Sequence, residues 1–335
     1  MDLKALTARF AGPLTAIAAT ASFAAPTAAI TVTVDASAVP VFVAADRGFF
    51  GDLDVEVSQV GYAQVQALLI AGETDIGWFS PIEAVQFVAE GSDFKYFSTA
   101  GAQNMYNGVV VRASEGETYN DITDLKGKRL GIPGYGTGTW ASFVSFMKAY
   151  YDIDDPQAEF EVVTASSGAL LALVEREQVD GALLFSGSSA AARSMDTFKT
   201  IFSFTEAMQE NTGQPLVITG SIATTPWLEE HAEEAAQFVA GLDAAVEWIM
   251  ANTDAFSEGG EYAHLAEGAG WLSSPDTTST VQGLIKEGKW YLTSATYTQD
   301  WIDAIHGLVV AGGTLETVPA AEDVFLAPGT LSTPE

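Results

Sequence analysis

Residues 134–140, Gly-Tyr-Gly-Thr-Gly-Thr-Trp, carry the clearest pattern for binding chemistry in this sequence. They follow a short apolar segment that ends at Ile132 and predicts a strand, and they precede a predicted helix. Glycines let a backbone approach a ligand closely, and Thr137 or Thr139 can cap the helix while presenting a hydroxyl group. In open α/β sheets, ligands bind beyond the carboxyl ends of strands, where helix N-termini offer free N–H groups. The segment therefore indicates a small-molecule site, although an ordinary glycine-rich turn with a threonine cap has the same composition.

This segment fits neither of the common nucleotide-binding patterns. A dinucleotide-binding G-x-G-x-x-G sequence would need glycine where Thr139 stands, and a Walker A loop would need Gly-Lys-Ser/Thr at its end. The pattern favours a small ligand other than a nucleotide cofactor.

Three other predicted strands end just before a predicted helix. Ser37 follows the first of them, Ser80 follows Trp78 and Phe79, and Ser186 follows Phe185. The aromatic side chains near these ends suit a flat or apolar ligand held by stacking and a few polar groups, although each one alone is more often a core residue. The predicted ligand-binding residues are Ser37, Ala38, Trp78, Ser80, Tyr135, Gly136, Thr137, Gly138, Thr139, Trp140, Phe185 and Ser186.

The residue types that usually perform catalysis are few or scattered. The histidines, His231, His264 and His306, lie far apart without an H-E-x-x-H motif, and no G-x-S-x-G sequence offers a serine nucleophile. The absence of cysteine excludes thiol nucleophiles, thiolate metal sites, disulfides and lipid attachment to a cysteine. We therefore expect no catalytic residue, no metal site and no cofactor.

The charge balance limits the partners of the chain. There are 44 acidic and 14 Lys or Arg residues, for a formal charge of −30. Such a field repels phosphate backbones and anionic membrane surfaces, so we expect no nucleic-acid partner. The acidity indicates a heavily solvated surface suited to salty surroundings, or an acidic patch for a cationic partner.

The N-terminus has the pattern of an export signal. Lys4 and Arg9 form a basic start, and residues 11–25 form an uncharged run of small and apolar side chains. Small residues at the positions that a signal peptidase reads predict cleavage after Ala24 or Ala29. The alternative is an amphipathic N-terminal helix of the fold. We assign residues 1–29 to the signal peptide and expect a free, periplasmic protein after its removal.

The remaining chain alternates strand-like and helix-like segments before becoming almost wholly helical after Pro226. With 48% hydrophobic residues and 335 residues in all, it can build a sizeable core and two domains. Alternation of strands and helices favours parallel sheets covered by helices on both faces. The sequence thus predicts an α/β protein with two such sheets and a chain that crosses between them.

Four segments contain short sequence motifs typical of one protein family, in the order in which that family has them. They are VFVAADRGFF at 41–50, ALLIAGETDIG at 67–77, DLKGKRLGI at 124–132 and ALVEREQVDG at 172–181. In these motifs the chain resembles the nitrate/taurine/alkanesulfonate-type periplasmic solute-binding proteins of ABC transporters, which share their fold with the thiamine-pyrimidine synthases.

The resemblance implies a two-lobed periplasmic binding protein fold of type II, with ligand clamped in the cleft between lobes. We assign residues 30–112 and 216–335 to lobe 1 and residues 113–215 to lobe 2, with crossings at 110–113 and 215–219.

The resemblance also implies a monomer that passes its ligand to a membrane permease with its ATPase. The ligand would be an aromatic or heterocyclic molecule or a sulfonate. The alternative is an exported enzyme or a sensory subunit on the same clamp. The synthases use a cysteine-containing motif that this chain lacks, which favours binding over catalysis.

Overall fold

Two five-stranded sheets organise the structure, a computed structural model that describes residues 30–34, 37–135 and 137–331. The predicted signal peptide, residues 1–29, and the predicted site residue Gly136 lie outside the described residues. The strands are β1 (Ile30–Val34), β2 (Val55–Gln59), β3 (Ile76–Phe79), β4 (Phe94–Ser98), β5 (Gly108–Arg112), β6 (Arg129–Ile132), β7 (Glu161–Thr164), β8 (Gly181–Leu184), β9 (Phe198–Ser203) and β10 (Gly220–Thr224).

Each sheet contains four strands that run in one direction and one strand that opposes them. The first sheet has the order β2-β1-β3-β10-β4, and β10 is antiparallel to both of its neighbours. The second has the order β7-β6-β8-β5-β9, and here β5 is the antiparallel strand. The predicted α/β fold with two mostly parallel sheets is confirmed.

The opposing strand of each sheet is the one with which the chain arrives from the other lobe. The chain leaves lobe 1 after β4 and enters lobe 2 with β5, then leaves after β9 and returns with β10. The chain leaves one sheet at its carboxyl edge and enters the other sheet at the carboxyl edge that faces the first. The entering strand therefore runs antiparallel to the other strands of its new sheet. The carboxyl ends of both sheets therefore face the region where the lobes meet.

The predicted boundary between the lobes needs a correction. Residues 108–112 were expected in lobe 1, but β5 hydrogen-bonds with β8 and β9 and so belongs to lobe 2. The first crossing consists of residues 99–107 instead of 110–113. The return crossing consists of residues 204–219, and the predicted crossing at 215–219 is its last part.

The helices cover both faces of the sheets and form the C-terminal region. They are α1 (Val39–Arg47), α2 (Tyr62–Ile70), α3 (Pro81–Ala89), α4 (Gly138–Tyr150), α5 (Pro156–Glu159), α6 (Ser167–Glu175), α7 (Ser186–Arg193), α8 (Phe204–Thr212), α9 (Thr225–Glu230), α10 (Ala232–Ala251), α11 (Ala263–Gly268), α12 (Pro275–Lys286), α13 (Gln299–Gly312) and α14 (Ala321–Val324). Among the described residues, no helix is both long enough and apolar enough to cross a membrane.

One hydrophobic cluster is shared by the two lobes. It contains Ile82 of α3 in lobe 1, Phe143 of α4 in lobe 2, and Trp301 and Ile305 of α13. Apolar positions three and four residues apart on α13 place one face of this helix against both lobes. Helix α13 thus packs against both α3 and α4 in a single core, beside which the lobes meet.

Candidate ligand-binding cavity

A cavity of about 330 Å³ lies between the lobes, at the carboxyl edges of both sheets. Lobe 1, lobe 2 and both crossing segments contribute to its walls, which are mostly apolar with several hydroxyl groups. The residues that line it are Tyr62, Ala63 and Ser80 of lobe 1, Met105 and Ile218 of the two crossings, and Thr137, Gly138, Thr139, Ser142 and Phe185 of lobe 2.

The glycine segment forms one wall of the cavity at the start of α4. Gly134 has a φ of +145°, a conformation that side-chain-bearing residues rarely adopt. Thr137 is the N-cap of α4: its Oγ1 accepts the Trp140 N–H at 3.2 Å and donates to the Gly134 carbonyl at 2.9 Å. Thr139 Oγ1 accepts from the Asn107 side-chain amide at 3.3 Å, which ties this wall to the first crossing. Both hydroxyl groups therefore also hold the structure of the loop.

The facing wall is the start of α3. Ser80 is its N-cap, and the Ser80 Oγ accepts the Ile82 N–H at 3.2 Å while Pro81 occupies the first helical position, where no N–H is needed. The Ser80 N–H donates to the Tyr62 hydroxyl at 3.2 Å. Tyr62 is the first residue of α2, so the N-termini of two lobe 1 helices meet at the same wall.

A carboxylate that the sequence analysis did not single out lies behind this wall. The Tyr62 hydroxyl donates a hydrogen bond to Glu83 Oε2, and Glu83 is in the first turn of α3. A Cβ atom placed on Gly138 would lie 3.1 Å from the same oxygen. Burial raises the pKa of the Glu83 carboxyl, and hydrogen bonds from Tyr62, Gln66 and the Ser80 backbone oppose that rise. The pattern Ser80-x-x-Glu83, typical of a capping box, was the available signal.

Five of the predicted site residues line the cavity: Ser80, Thr137, Gly138, Thr139 and Phe185. Their role in ligand binding stays a prediction. Two more, Ser37 and Tyr135, lie near the wall residues without lining it. Ser37 Oγ is 3.4 Å from Thr219 Oγ1 in the return crossing. Tyr135 is 49% exposed, and its ring meets the Trp140 ring edge to face at 5.5 Å.

The structure corrects the placement of three predicted site residues from the cavity wall to the hydrophobic core. Ala38 and Trp78 are fully buried in lobe 1, and Trp140 is 4% exposed and stacked on Phe143. Their side chains point into the protein. The sequence shows that these residues lie near strand ends, but it does not show the direction in which their side chains point. Ser186 begins α7, and its side chain lies outside what the structure describes.

Five lining residues were missed from the sequence: Tyr62, Ala63, Met105, Ser142 and Ile218. Tyr62 and Ala63 begin the helix after β2, a fifth strand end that could have been recognised by the same rule. Ser142 lies one turn beyond Gly138 on the same face of α4. Met105 and Ile218 lie in the crossings, and irregular segments carry no periodic pattern that predicts their orientation.

A second, largely apolar cavity of about 350 Å³ lies on the other side of Phe185, between lobe 2 and the C-terminal helices. There Gly187 of α7 contacts Gly270, and a Cβ atom at Gly187 would be only 2.8 Å from the Gly270 backbone. Within the described part of the chain, no group of three His, Asp or Glu residues could hold a metal ion.

The lining of the first cavity includes neither lysine nor arginine among the described residues. Arg193, the nearest candidate from the sequence, donates to Ser203 Oγ at 3.1 Å and lies over the Tyr106 ring at 5.5 Å. The guanidinium group is therefore engaged away from the cavity wall.

Comparison with known proteins identifies the family. A family model described as NMT1/THI5 like matches residues 35–255, about two thirds of the chain. The chain belongs to the NMT1/THI5-like family. The family resemblance predicted from four short segments is thereby confirmed. The matched region of this NMT1/THI5-like chain contains both crossings and every residue that lines the first cavity.

Solved structures share the fold of this NMT1/THI5-like chain at low sequence identity. A protein from Bordetella bronchiseptica RB50 has a TM-score of 0.67 and 15% identity, covering 91% of this chain and 96% of that one. The periplasmic aliphatic sulphonate binding protein SsuA from Escherichia coli has a TM-score of 0.61 and 14% identity, covering 77% and 83%. The alkanesulfonate-binding protein SsuA from Xanthomonas axonopodis pv. citri, bound to MOPS, has a TM-score of 0.58 and 15% identity, covering 90% and 99%. No match was found among curated proteins.

Proposed function

We propose that this protein is the extracytoplasmic solute-binding component of an ABC importer and captures a small organic molecule in the first cavity. The observation that carries the proposal is the origin of the lining residues, which come from both lobes and both crossings. A ligand in this position contacts both lobes at once and stabilises the arrangement in which they are close.

The similar structures support this role by their names. The proteins from Escherichia coli and Xanthomonas axonopodis pv. citri are a periplasmic aliphatic sulphonate binding protein and an alkanesulfonate-binding protein. The predicted signal peptide supports the same location outside the cytoplasm. The proposed partners are a membrane permease with its ATPase, and the proposed form is a monomer that releases its ligand unaltered.

A thermal-shift screen of the mature protein against small organic solutes tests this function. A ligand that binds only the folded protein stabilises it by about 2.7 kcal/mol at a concentration one hundred times the dissociation constant. We expect at least one solute to raise the melting temperature, and mass spectrometry to recover that solute unchanged. A screen without any stabilising solute, or chemical conversion of the bound solute, would contradict the proposal.

A further inference from the structure

We propose that Glu83 determines which ligands the first cavity accepts: its carboxylate binds an N–H group of a neutral or singly cationic ligand and excludes sulfonates and other anions. The inference rests on the proposed function, because it names the class of solute that the same cavity holds. It departs from the sulfonates named for two structurally similar proteins.

The position of the carboxylate is fixed by two residues that line the cavity. Tyr62 donates its hydroxyl to Glu83 Oε2 from the lobe 1 side. Gly138 lies on the lobe 2 side, where an added Cβ atom would be 3.1 Å from Oε2 and 3.4 Å from Oε1. The carboxylate group therefore lies directly behind the junction of the two walls, next to lining residues of both lobes, and Glu83 is only partly buried.

The described residues that donate hydrogen bonds to Glu83 leave part of its accepting capacity open. Its partners are the Tyr62 hydroxyl, the Gln66 side chain and the Ser80 backbone, all within lobe 1. An ionised carboxylate has about four sites that accept hydrogen bonds. Capping of α3 accounts for the bond to Ser80, but it does not require the carboxylate to lie against Gly138 of the other lobe. A ligand N–H is the group that would complete the set.

The charges around the cavity favour a donor over an anion. The helix N-termini at Tyr62, Ser80 and Gly138 would by themselves attract negative charge. The carboxylate of Glu83 already lies at the start of α4, and the described lining holds no lysine or arginine to balance a second negative charge. Burial raises the pKa of the Glu83 carboxyl, and an N–H donor from a ligand would stabilise its charged form.

Three ligands with the same ring and different head groups test the inference on the intact mature protein. Benzamidine offers a cationic N–H head, benzamide a neutral one, and benzenesulfonate an anionic head without N–H donors. We expect benzamidine and benzamide to raise the melting temperature and to show measurable affinity by calorimetry, and benzenesulfonate to do neither. Tighter binding of benzenesulfonate than of both N–H ligands would overturn the inference, as would the absence of binding by benzamidine and benzamide.

The variant Glu83→Gln tests the residue itself, because glutamine keeps the shape and an acceptor oxygen but loses the charge. We expect the affinity for benzamidine to fall about tenfold or more, and the affinity for benzamide to change less. Glu90→Gln is the matched control, since Glu90 ends the same helix at an exposed position and its replacement changes the net charge equally. Equal benzamidine affinities of the two variants would overturn the role of Glu83.

Two features of these experiments separate the inference from the function on which it rests. The ranking of the three ligands on the unchanged protein needs no variant, so it decides the inference even if Glu83→Gln fails to fold. A sulfonate that binds tightly would refute the inference and leave the transport role intact. Failure of the whole solute screen, including these three ligands, would count against the function as well.

Discussion

Gly138 is the residue at which the absence of a side chain matters most for the cavity. It begins α4, lines the cavity and leaves room for the Glu83 carboxylate of the other lobe. A Cβ atom at this position would lie 3.1 Å from the carboxylate, closer than nine in ten real Cβ contacts. Any larger side chain must therefore displace Glu83 or enter the space that the ligand would occupy.

We predict that Gly138→Val lowers ligand affinity at least about tenfold while the protein remains folded. Calorimetric titration with the ligand found in the screen measures the affinity, and circular dichroism confirms the fold. The control is Gly168→Val near the N-terminus of α6, where an added Cβ atom meets no other atom within 4 Å. Unchanged affinity in Gly138→Val would remove the start of α4 from the binding site.

The sequence predicted where the site residues lie along the chain better than it predicted the directions of their side chains. Thr137 and Ser80 were found because a strand end followed by a capping residue is visible in the sequence, and both line the cavity. Trp78 and Trp140 lie at similar strand ends, but their side chains pack into the core. Glu83 was missed because abundant acidic residues make any single carboxylate inconspicuous, and its importance comes from Gly138, far away in the sequence.

Three helices of the described structure, α4, α9 and α13, have the same N-terminal cap, and the caps of α4 and α13 also match in hydrogen-bond length. Thr137 caps α4 and Thr298 caps α13, and each hydroxyl accepts the backbone N–H of a tryptophan three residues later at 3.2 Å. The first cap lies at the cavity, and the second lies away from its lining. This pair separates the contribution of a cap to stability from its contribution to binding.

We predict that Thr137→Ala and Thr298→Ala each lower the free energy of unfolding by about 1 kcal/mol through loss of the capping hydrogen bond, and that Thr137→Ala costs somewhat more because its bond to the Gly134 carbonyl is also lost. Only Thr137→Ala should also weaken ligand binding. Urea denaturation measures the first effect and calorimetric titration the second. If both variants bound the ligand equally well, Thr137 would be a structural cap and no part of the site.

The sequence of a strand does not show which sheet the strand joins, and for this reason β5 was assigned to the wrong lobe. The run of valines in residues 108–112 predicts a buried strand, and the structure has one. Its partners β8 and β9 lie about seventy to ninety residues further along the chain. Pairing of this kind depends on where the chain turns back, and the valine pattern would be the same in either sheet.

The two lobes share part of one hydrophobic core. Residues of α3, α4 and α13 belong to one hydrophobic cluster, and Gly312 of α13 approaches Ser145 of α4 so closely that an added Cβ atom would be 3.0 Å away. Unfolding either lobe alone would expose the face of α13 that the other lobe covers.

We therefore predict a single thermal transition in which the calorimetric and van't Hoff enthalpies agree. Differential scanning calorimetry of the mature protein without ligand measures both quantities. Two transitions separated in temperature, one for each sheet, would show that the shared cluster does not couple the lobes.

Part of this structure must open to release the ligand. We expect the contact between α7 and α12 to open. Phe185 precedes α7 and lines the first cavity, so a movement of α7 away from the C-terminal helices would uncover the ligand. Small residues hold α7 here: Gly187 touches Gly270, between α11 and α12, and Ser194 Oγ lies 3.2 Å from Thr277 Oγ1 of α12. The α13 cluster, in contrast, is a broad hydrophobic contact that would remain closed.

The double variant Ser194→Cys/Thr277→Cys tests this opening, because the sequence has no other cysteine and the new pair is the only disulfide that can form within one molecule. We predict that oxidation slows ligand dissociation about tenfold or more, as expected when a gating movement is blocked, and that a reductant restores the original rate. Stopped-flow displacement of the bound ligand measures the rate, and each single cysteine variant under the same oxidising conditions serves as the control. Equal dissociation rates in the oxidised and reduced double variant, with the disulfide verified by mass spectrometry, would show that the ligand leaves by a route that keeps α7 and α12 together.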